Sequence, residues 1–325
     1  MFGLRSHNYT EKLQQHAQEH AGEADSHASE GFDAGKVIIE HVSNSPLDHP
    51  LIHLPTIFGI DFSVTKHVFM LWLVAVIVFA VVTWIVQAYL RQERLVPSGT
   101  ANGGLEFFVE FVRDSIALPN FGSKWLQTWT PLVLTFFVFI VCANAIGLIP
   151  IFEVLGLLDH YVLHTSQDSF LKQVLHGGTT ATANFNVTAG LATIVFATII
   201  LAGSKAHGFI QHWKNLVPHG LAWPIYILLI PIELMGLLVR PFALTMRLAA
   251  NMAGGHIAIL AILSFVFLFT EMFGTALAGI GVGVAFAVPL AVSISALEVI
   301  VVLVQAYVFT LLTAVFIGMA IHVHH

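Results

Sequence analysis

Charge is what this sequence has least of. Only 10% of its 325 residues are Asp, Glu, Lys or Arg, where globular domains carry about a quarter. That scarcity argues against a water-soluble enzyme. Basic residues are fewer than acidic ones, 13 against 19, so no electrostatic footprint for nucleic acid is present. Cysteine is nearly absent: Cys142 is single and sits inside an apolar run, which excludes a disulfide framework and a cysteine-based metal site. A phosphate loop of the G-x-x-x-x-G-K-[ST] type is missing too, so ATP chemistry does not belong to this chain. What fills the space is apolar: hydrophobic residues make up 57% and the mean hydropathy is +0.83. The apolar runs exceed the roughly 18 residues that mark a bilayer span. The sequence reads as an all-α integral membrane protein.

Residues 1–50 differ from the rest. They are polar, acidic and dotted with His7, His16, His20, His27, His41 and His49. No apolar stretch of the kind a cleaved leader needs follows Met1. The composition predicts a largely disordered arm, with a short helix over 11–19 as an option. A metal-binding tail is the sharper alternative, but the spacing is irregular and cysteine is lacking. Residues 51–325 then form the membrane domain.

The first span runs from Val68 to Leu90 without a charge and is closed by Arg91, Glu93 and Arg94. The second is expected over about Pro131–Pro150, with Asn144 and Cys142 as its polar atoms, and the third over about Val187–Gly203, closed by Lys205. Between the first two, 105–116 sets Phe107, Phe108, Phe111 and Val112 against Glu106, Glu110, Arg113 and Asp114. That alternation predicts an amphipathic helix on the membrane surface or packed on the bundle. Basic residues concentrate in the loops 91–130 and 204–220 (Arg91, Arg94, Arg113, Lys124; Lys205, Lys214), against Lys172 alone in 151–186. The positive-inside rule puts the first two in the cytoplasm and the N-terminal arm outside. The loop carrying Asp159, His160, His164, Asp168 and His176 then also lies outside.

The last third is two apolar blocks, Leu221–Leu268 and Thr275–Ile321. As single helices each would reach roughly 70 Å, more than twice a hydrocarbon core of about 30 Å. Each is either a pair of ordinary spans or one long tilted helix, and arithmetic does not choose. Pro224, Pro231, Pro241 and Pro289 permit bends, and Gly254–Gly255 close packing.

Charge inside these blocks follows a pattern. Glu233, Arg240 and Arg247 stand seven apart, and Asn251 and Gly255 continue in fours. Both steps hold one helix face. Glu298 and Gln305 are again seven apart, with Ser295 a turn earlier. Such stripes are expensive against lipid, several kcal/mol for a mid-bilayer arginine, so they should face each other, a partner or water. Glu233 with Arg240 could be a packing ion pair, and Asn251 a packing hydrogen bond. Arg247 is harder to explain that way: its neighbours Leu244, Met246, Leu248 and Ala249 are apolar, and no carboxylate stands within a turn. Its countercharge should come from elsewhere. His256 and Glu298 form a candidate titrating pair. Glu271 is expected at a turn or an exit to water, and His322, His324 and His325 in a solvated tail.

These residues carry a resemblance. The run from Arg247-Leu248 through Asn251-Met252 to Gly255-His256 resembles the R-L-x-x-N-M-x-x-G-[EH] signature of subunit a of F-type ATP synthases. Glu233 through Arg240-Pro241 is similar to that family's E-x-x-x-L-L-x-[KR]-P approach, and Gln305-Ala306-Tyr307-Val308-Phe309 to its Q-A-[YF]-[VI]-F motif. Trp129-Thr130-Pro131 through Asn144 and Pro150 resembles its second span, and Asn186-Val187-Thr188 the opening of the third. The match spans most of 67–325; the arm and the long loop 151–186 depart from it. The resemblance implies about five membrane helices, the last two long and tilted, forming a hairpin against a ring of c subunits. It implies that Arg247 is the essential ring-facing arginine, and that Asn251, His256, Glu298, Gln305 and Glu233 lie on the proton path. Implied partners are the c-ring, b-type peripheral-stalk subunits and, indirectly, the F1 sector, in a bacterial inner membrane; no cofactor or metal is implied. The competing reading is a free-standing secondary cation/proton transporter, against which stands the lack of an internal repeat. A purely structural scaffold is a third.

Overall fold

The computed structural model describes residues 63–91, 100–148, 181–215, 223–274 and 276–322, together with Gly35. The expected arm falls almost wholly outside them, as do residues 151–180 of the long loop. Among the described residues there is no β-strand, and five helices are long and apolar enough to cross a membrane. In chain order the elements are α1 (Lys66–Leu90), α2 (Thr100–Glu110), a π-helical turn (Phe111–Ala117), α3 (Leu118–Leu148), a 3-10 turn (Ala181–Ala183), α4 (Phe185–His207), α5 (Phe209–Asn215), α6 (Trp223–Phe273), α7 (Ala276–Val282), a second π-helical turn (Gly283–Ala287) and α8 (Val288–Ile321).

The described residues fall into two compact units, one containing 258–293 and the other 63–257 with 294–322. The larger unit has a core built by α3, α4 and α8 around Phe121, Val133, Ile140, Val195, Ile199, Phe309 and Ile317, all buried. Phe136 meets Phe309 edge-on at 5.7 Å between ring centres. Outside that core large apolar side chains are openly exposed, among them Trp72, Phe79 and Trp84 on α1 and Leu228, Met235 and Leu238 on α6. On a soluble protein such surface would mark an interface; on a membrane helix it is the face lipid or a neighbouring subunit covers. Hydroxyls survive on these helices by bonding the carbonyl one turn back, as Thr130, Thr198, Thr245 and Thr313 do at 2.6–3.0 Å. These four hydroxyl donors are thereby satisfied within their own helices.

The amphipathic segment packs on the bundle. Val112, Ile116 and Ala117 are buried, and the Phe111 ring lies 6.0 Å from Phe137 and 5.9 Å from Tyr307. The expected loop over 91–130 is helical from Thr100 onward, because Leu118–Leu148 continues straight from the π turn. Its one irregularity is Gly122, with φ 65° and ψ 172°. Glycine adopts that conformation without strain, and the kink frees the Phe121 carbonyl, which accepts from His322 Nε2 at 3.2 Å. The tail histidine expected to be merely solvated therefore has a structural contact. Beside it Gly318 lets α8 touch the Asn120 carbonyl: an added Cβ would sit 2.6 Å from that oxygen.

The structure resolves the ambiguity of the two apolar blocks in favour of length. Pro231 and Pro241 both lie inside α6, which runs unbroken for 51 residues, about 77 Å at 1.5 Å per residue. The second block is α7, the π turn and α8 in series, a single candidate span of 43 residues from Gly279 to Ile321. In the smaller unit the chain turns at Gly274 (φ 62°), whose N–H bonds the Glu271 carbonyl at 3.3 Å. Exposed Glu271 thus marks the expected turn. Beyond it Gly279 and Gly283 pack against Thr270 and Val266.

Candidate functional site

In the larger unit α6 and α8 meet at three levels, and the order of contacts makes them antiparallel. Arg240 stacks over the Phe316 ring at 5.5 Å, a cation–π contact. Further along α6, Asn251 Nδ2 donates to Gln305 Oε1 at 2.8 Å. Further still, Gly255 faces Glu298: a Cβ at residue 255 would overlap the Glu298 carboxylate oxygen Oε1. The steps of seven and four along α6 therefore do what the sequence pattern anticipated, meeting the seven-residue step from Glu298 to Gln305.

Gly255 is needed for close approach. It admits the carboxylate of Glu298 against the α6 backbone, and Glu298 is buried, with only 9% of its surface exposed. His256 is the next residue and is half-buried. Gln305 is also buried, and among the described residues its Nε2 has no hydrogen-bond partner. A buried amide with one free donor can bind water or a further polar group. Glu233 and Arg240 form the weighed ion pair only loosely, at 3.9 Å and with both side chains partly exposed.

Arg247 stands apart. It lies on the same helix, one turn before Asn251, and its side chain is exposed. Among the described residues it has no ion-pair or hydrogen-bond partner. The site thus has a buried acid, an amide pair and an outward-facing cation within three turns of α6.

Other polar contacts were not anticipated from the sequence. Asn144, noted there only as a polar residue of the second span, is fully buried on α3 and accepts from Thr182 Oγ1 at 2.6 Å, while its Nδ2 has no partner among the described residues. Thr182 is hidden in a run of small polar residues, so nothing in the sequence set it apart. His212 is buried on α5, with its ring where a Gly203 Cβ would be. Its Nε2 has no partner among the described residues, and burial together with the nearby His207 holds its pKa below the ordinary 6.5. At the start of α4, the Asn184 side chain accepts from Asn186 N–H at 2.8 Å, an N-cap two residues before the segment singled out in the sequence.

Comparison with known proteins identifies the family. The family model described as ATP synthase A chain matches residues 68–318. The chain is 38% identical to ATP synthase subunit a 2 of Chlorobium luteolum, over 88% of this chain and 76% of that one. It is 35% identical to ATP synthase subunit a 2 of Prosthecochloris aestuarii, covering 92% and 83%, and 35% identical to ATP synthase subunit a of Anaeromyxobacter dehalogenans, covering 95% and 76%. With that match laid over the five candidate spans, the chain belongs to the ATP synthase A chain family, the non-catalytic, proton-conducting subunits of the membrane sector.

Proposed function

We propose that Arg247 is the residue through which this chain couples proton flow to rotation of a c-subunit ring, and that Asn251, Gln305, His256, Glu298 and Glu233 line the half-channel reaching it from outside. The supporting observation is the exposed guanidinium of Arg247, without an ion-pair partner among the described residues, one turn from the Asn251–Gln305 bond. A lone cation on a membrane helix calls for an anion from a neighbour, and an ionised ring carboxylate supplies one. Arginine cannot serve as the relay, because its pKa lies above about 12. It can attract a ring carboxylate once that group has lost its proton and keep the two half-channels from short-circuiting. Each proton crossing 100 mV releases about 2.3 kcal/mol, so several must act in one rotation to drive ATP synthesis.

We assign proton exchange to Glu298. It is buried, bears on the α6 backbone at Gly255 and precedes Gln305 by two helical turns. The other half-channel opens to the cytoplasm. Five spans put the termini on opposite sides, and Arg113, Lys124, Lys205 and Lys214 put the C-terminus in the cytoplasm by the positive-inside rule. The membrane is the bacterial inner membrane, as the relatives' organisms suggest. Stator contacts with b-type stalk subunits complete the reading.

Affinity purification of the tagged chain from its own membrane tests this. Recovery with a ring of small hairpin subunits is the expected result. A chain that purifies alone and moves cations by itself in vesicles would support the free-standing transporter instead.

A further inference from the structure

The short helix α5 has no place in the proton path, yet its three sectors are sharply divided. At 100° per residue, His212 points one way and is buried against Gly203 of α4. Phe209, Trp213 and Ile210 fall in one arc beside it and are exposed by 63%, 37% and 71%. The rings of Phe209 and Trp213 meet edge-on at 6.2 Å, presenting one continuous aromatic surface. Lys214 stands at the far edge of that arc. On the opposite side exposed Gln211 donates to Asn215 at 2.8 Å, a polar face satisfied within the helix. Buried His212 therefore fixes which way the apolar arc looks.

The preceding helix carries an exposed apolar stripe of its own. On α4, a candidate span ending at His207, Ile194 and Leu201 are exposed by 49% and 63%. They are seven apart on one face, and exposed Lys205 follows four residues later. Gly208 (φ 89°) then redirects the chain, and α5 begins at once. Aromatic rings next to a span's end, bracketed by two lysines, have the composition of the headgroup layer. We propose that α5 is an interfacial anchor, inserted beside the end of α4 into a bilayer of anionic phospholipid, with Lys205 and Lys214 on the phosphates. The reading requires only that α4 spans the membrane and is independent of the role of Arg247.

Spin labels on the full chain in nanodiscs test it. In a Cys142→Ala background, nitroxides are placed singly at Ile210→Cys and Gln211→Cys, with Leu201→Cys as the span reference. The ratio of collision with oxygen to collision with a water-soluble nickel chelate is then read. In phosphatidylglycerol-containing discs the residue-210 label should exceed the residue-211 label by about fivefold or more, at a depth of about 5–10 Å. Discs of phosphatidylcholine alone should shrink that ratio at least about twofold, and K205Q/K214Q should remove the lipid dependence by the loss of both attractions. Equal nickel accessibility at residues 210 and 211, with the residue-201 label still in lipid, would overturn the proposal. So would a residue-210 label that is wet in the isolated chain and shielded only in the assembled complex, which would assign the face to another subunit. Lipid insertion unaffected by headgroup charge would remove the anionic requirement and overturn it as stated.

Discussion

At residue 255 an added methyl group would compete with the buried acid for its place. The Cβ of an alanine there would overlap Glu298 Oε1, the flexible end of that side chain, and push the carboxylate away from the α6 backbone. Gly255→Ala should therefore cut proton flux through the membrane sector about tenfold, with the chain still inserted. Glu298→Asp, one methylene shorter, should partly restore the Gly255→Ala variant although it impairs the wild type, since its carboxylate no longer reaches the added methyl. A double-variant cycle read by proton flux in inverted vesicles checks it; strictly additive losses would mean that Gly255 and Glu298 do not share one space. The same logic applies to His256, adjacent to that glycine. If His256 and Glu298 serve one network, the exchange His256→Glu with Glu298→His should recover more flux than either single exchange. Both groups could be named from the sequence, because acids and imidazoles are rare in apolar helices. Their dependence on Gly255 could not, since a glycine in a run of small residues gives no sign of what lies opposite.

Among the helices, the ones most legible in the sequence were those with charged ends. The first span was bounded by Arg91 and matches α1 at its C-terminal end, Leu90. The length of α6 was not legible: proline ends most water-soluble helices, but in lipid the alternative to a helix is unsatisfied backbone, so Pro231 and Pro241 stay inside one. Likewise 118–130 read as loop because polar residues interrupt it, yet it is helix, kinked only at Gly122. Packing of that kinked segment depends on Gly318. Gly318→Leu should destabilise the detergent-solubilised chain by about 1–3 kcal/mol, visible as a lowered thermal midpoint, whereas Met319→Leu, on the exposed side, should leave it unchanged. The α4–α5 junction carries a pH dependence. Because burial and His207 hold the His212 pKa below 6.5, the unfolded or undocked state binds the proton more tightly. Docking is then at full strength above pH 6.5 and weakens as pH falls through that value toward the lowered one. A label at Gln211→Cys should become more mobile below pH 6.5, and His212→Leu should remove the change. Mobility independent of pH in the parent chain would contradict the buried imidazole.

For the molecule as a whole, the fold class and the existence of two polar stripes followed from sequence, because period and charge survive any packing detail; that the stripes face each other, and not a partner or water, did not. The three-level register between α6 and α8 needed coordinates. Through it Asn251, Gln305, Gly255 and Glu298 come together, while Arg247 is left exposed and unpaired among the described residues. A chain that holds its acid inside and its cation outside is built to be completed by another subunit. In the function proposed above, coupling is a property of the assembled machine, and Arg247 is the assigned meeting point of the chain and a ring. The direct measurement is proton-driven ATP synthesis in vesicles carrying the whole complex with Arg247→Ala, alongside Arg247→Lys, with assembly verified by subunit recovery. The account predicts that both variants assemble and that both fail to synthesise ATP or to pump protons on ATP hydrolysis, since an ammonium lacks the planar fork and can release its proton. Normal ATP synthesis by the assembled Arg247→Ala complex would contradict it.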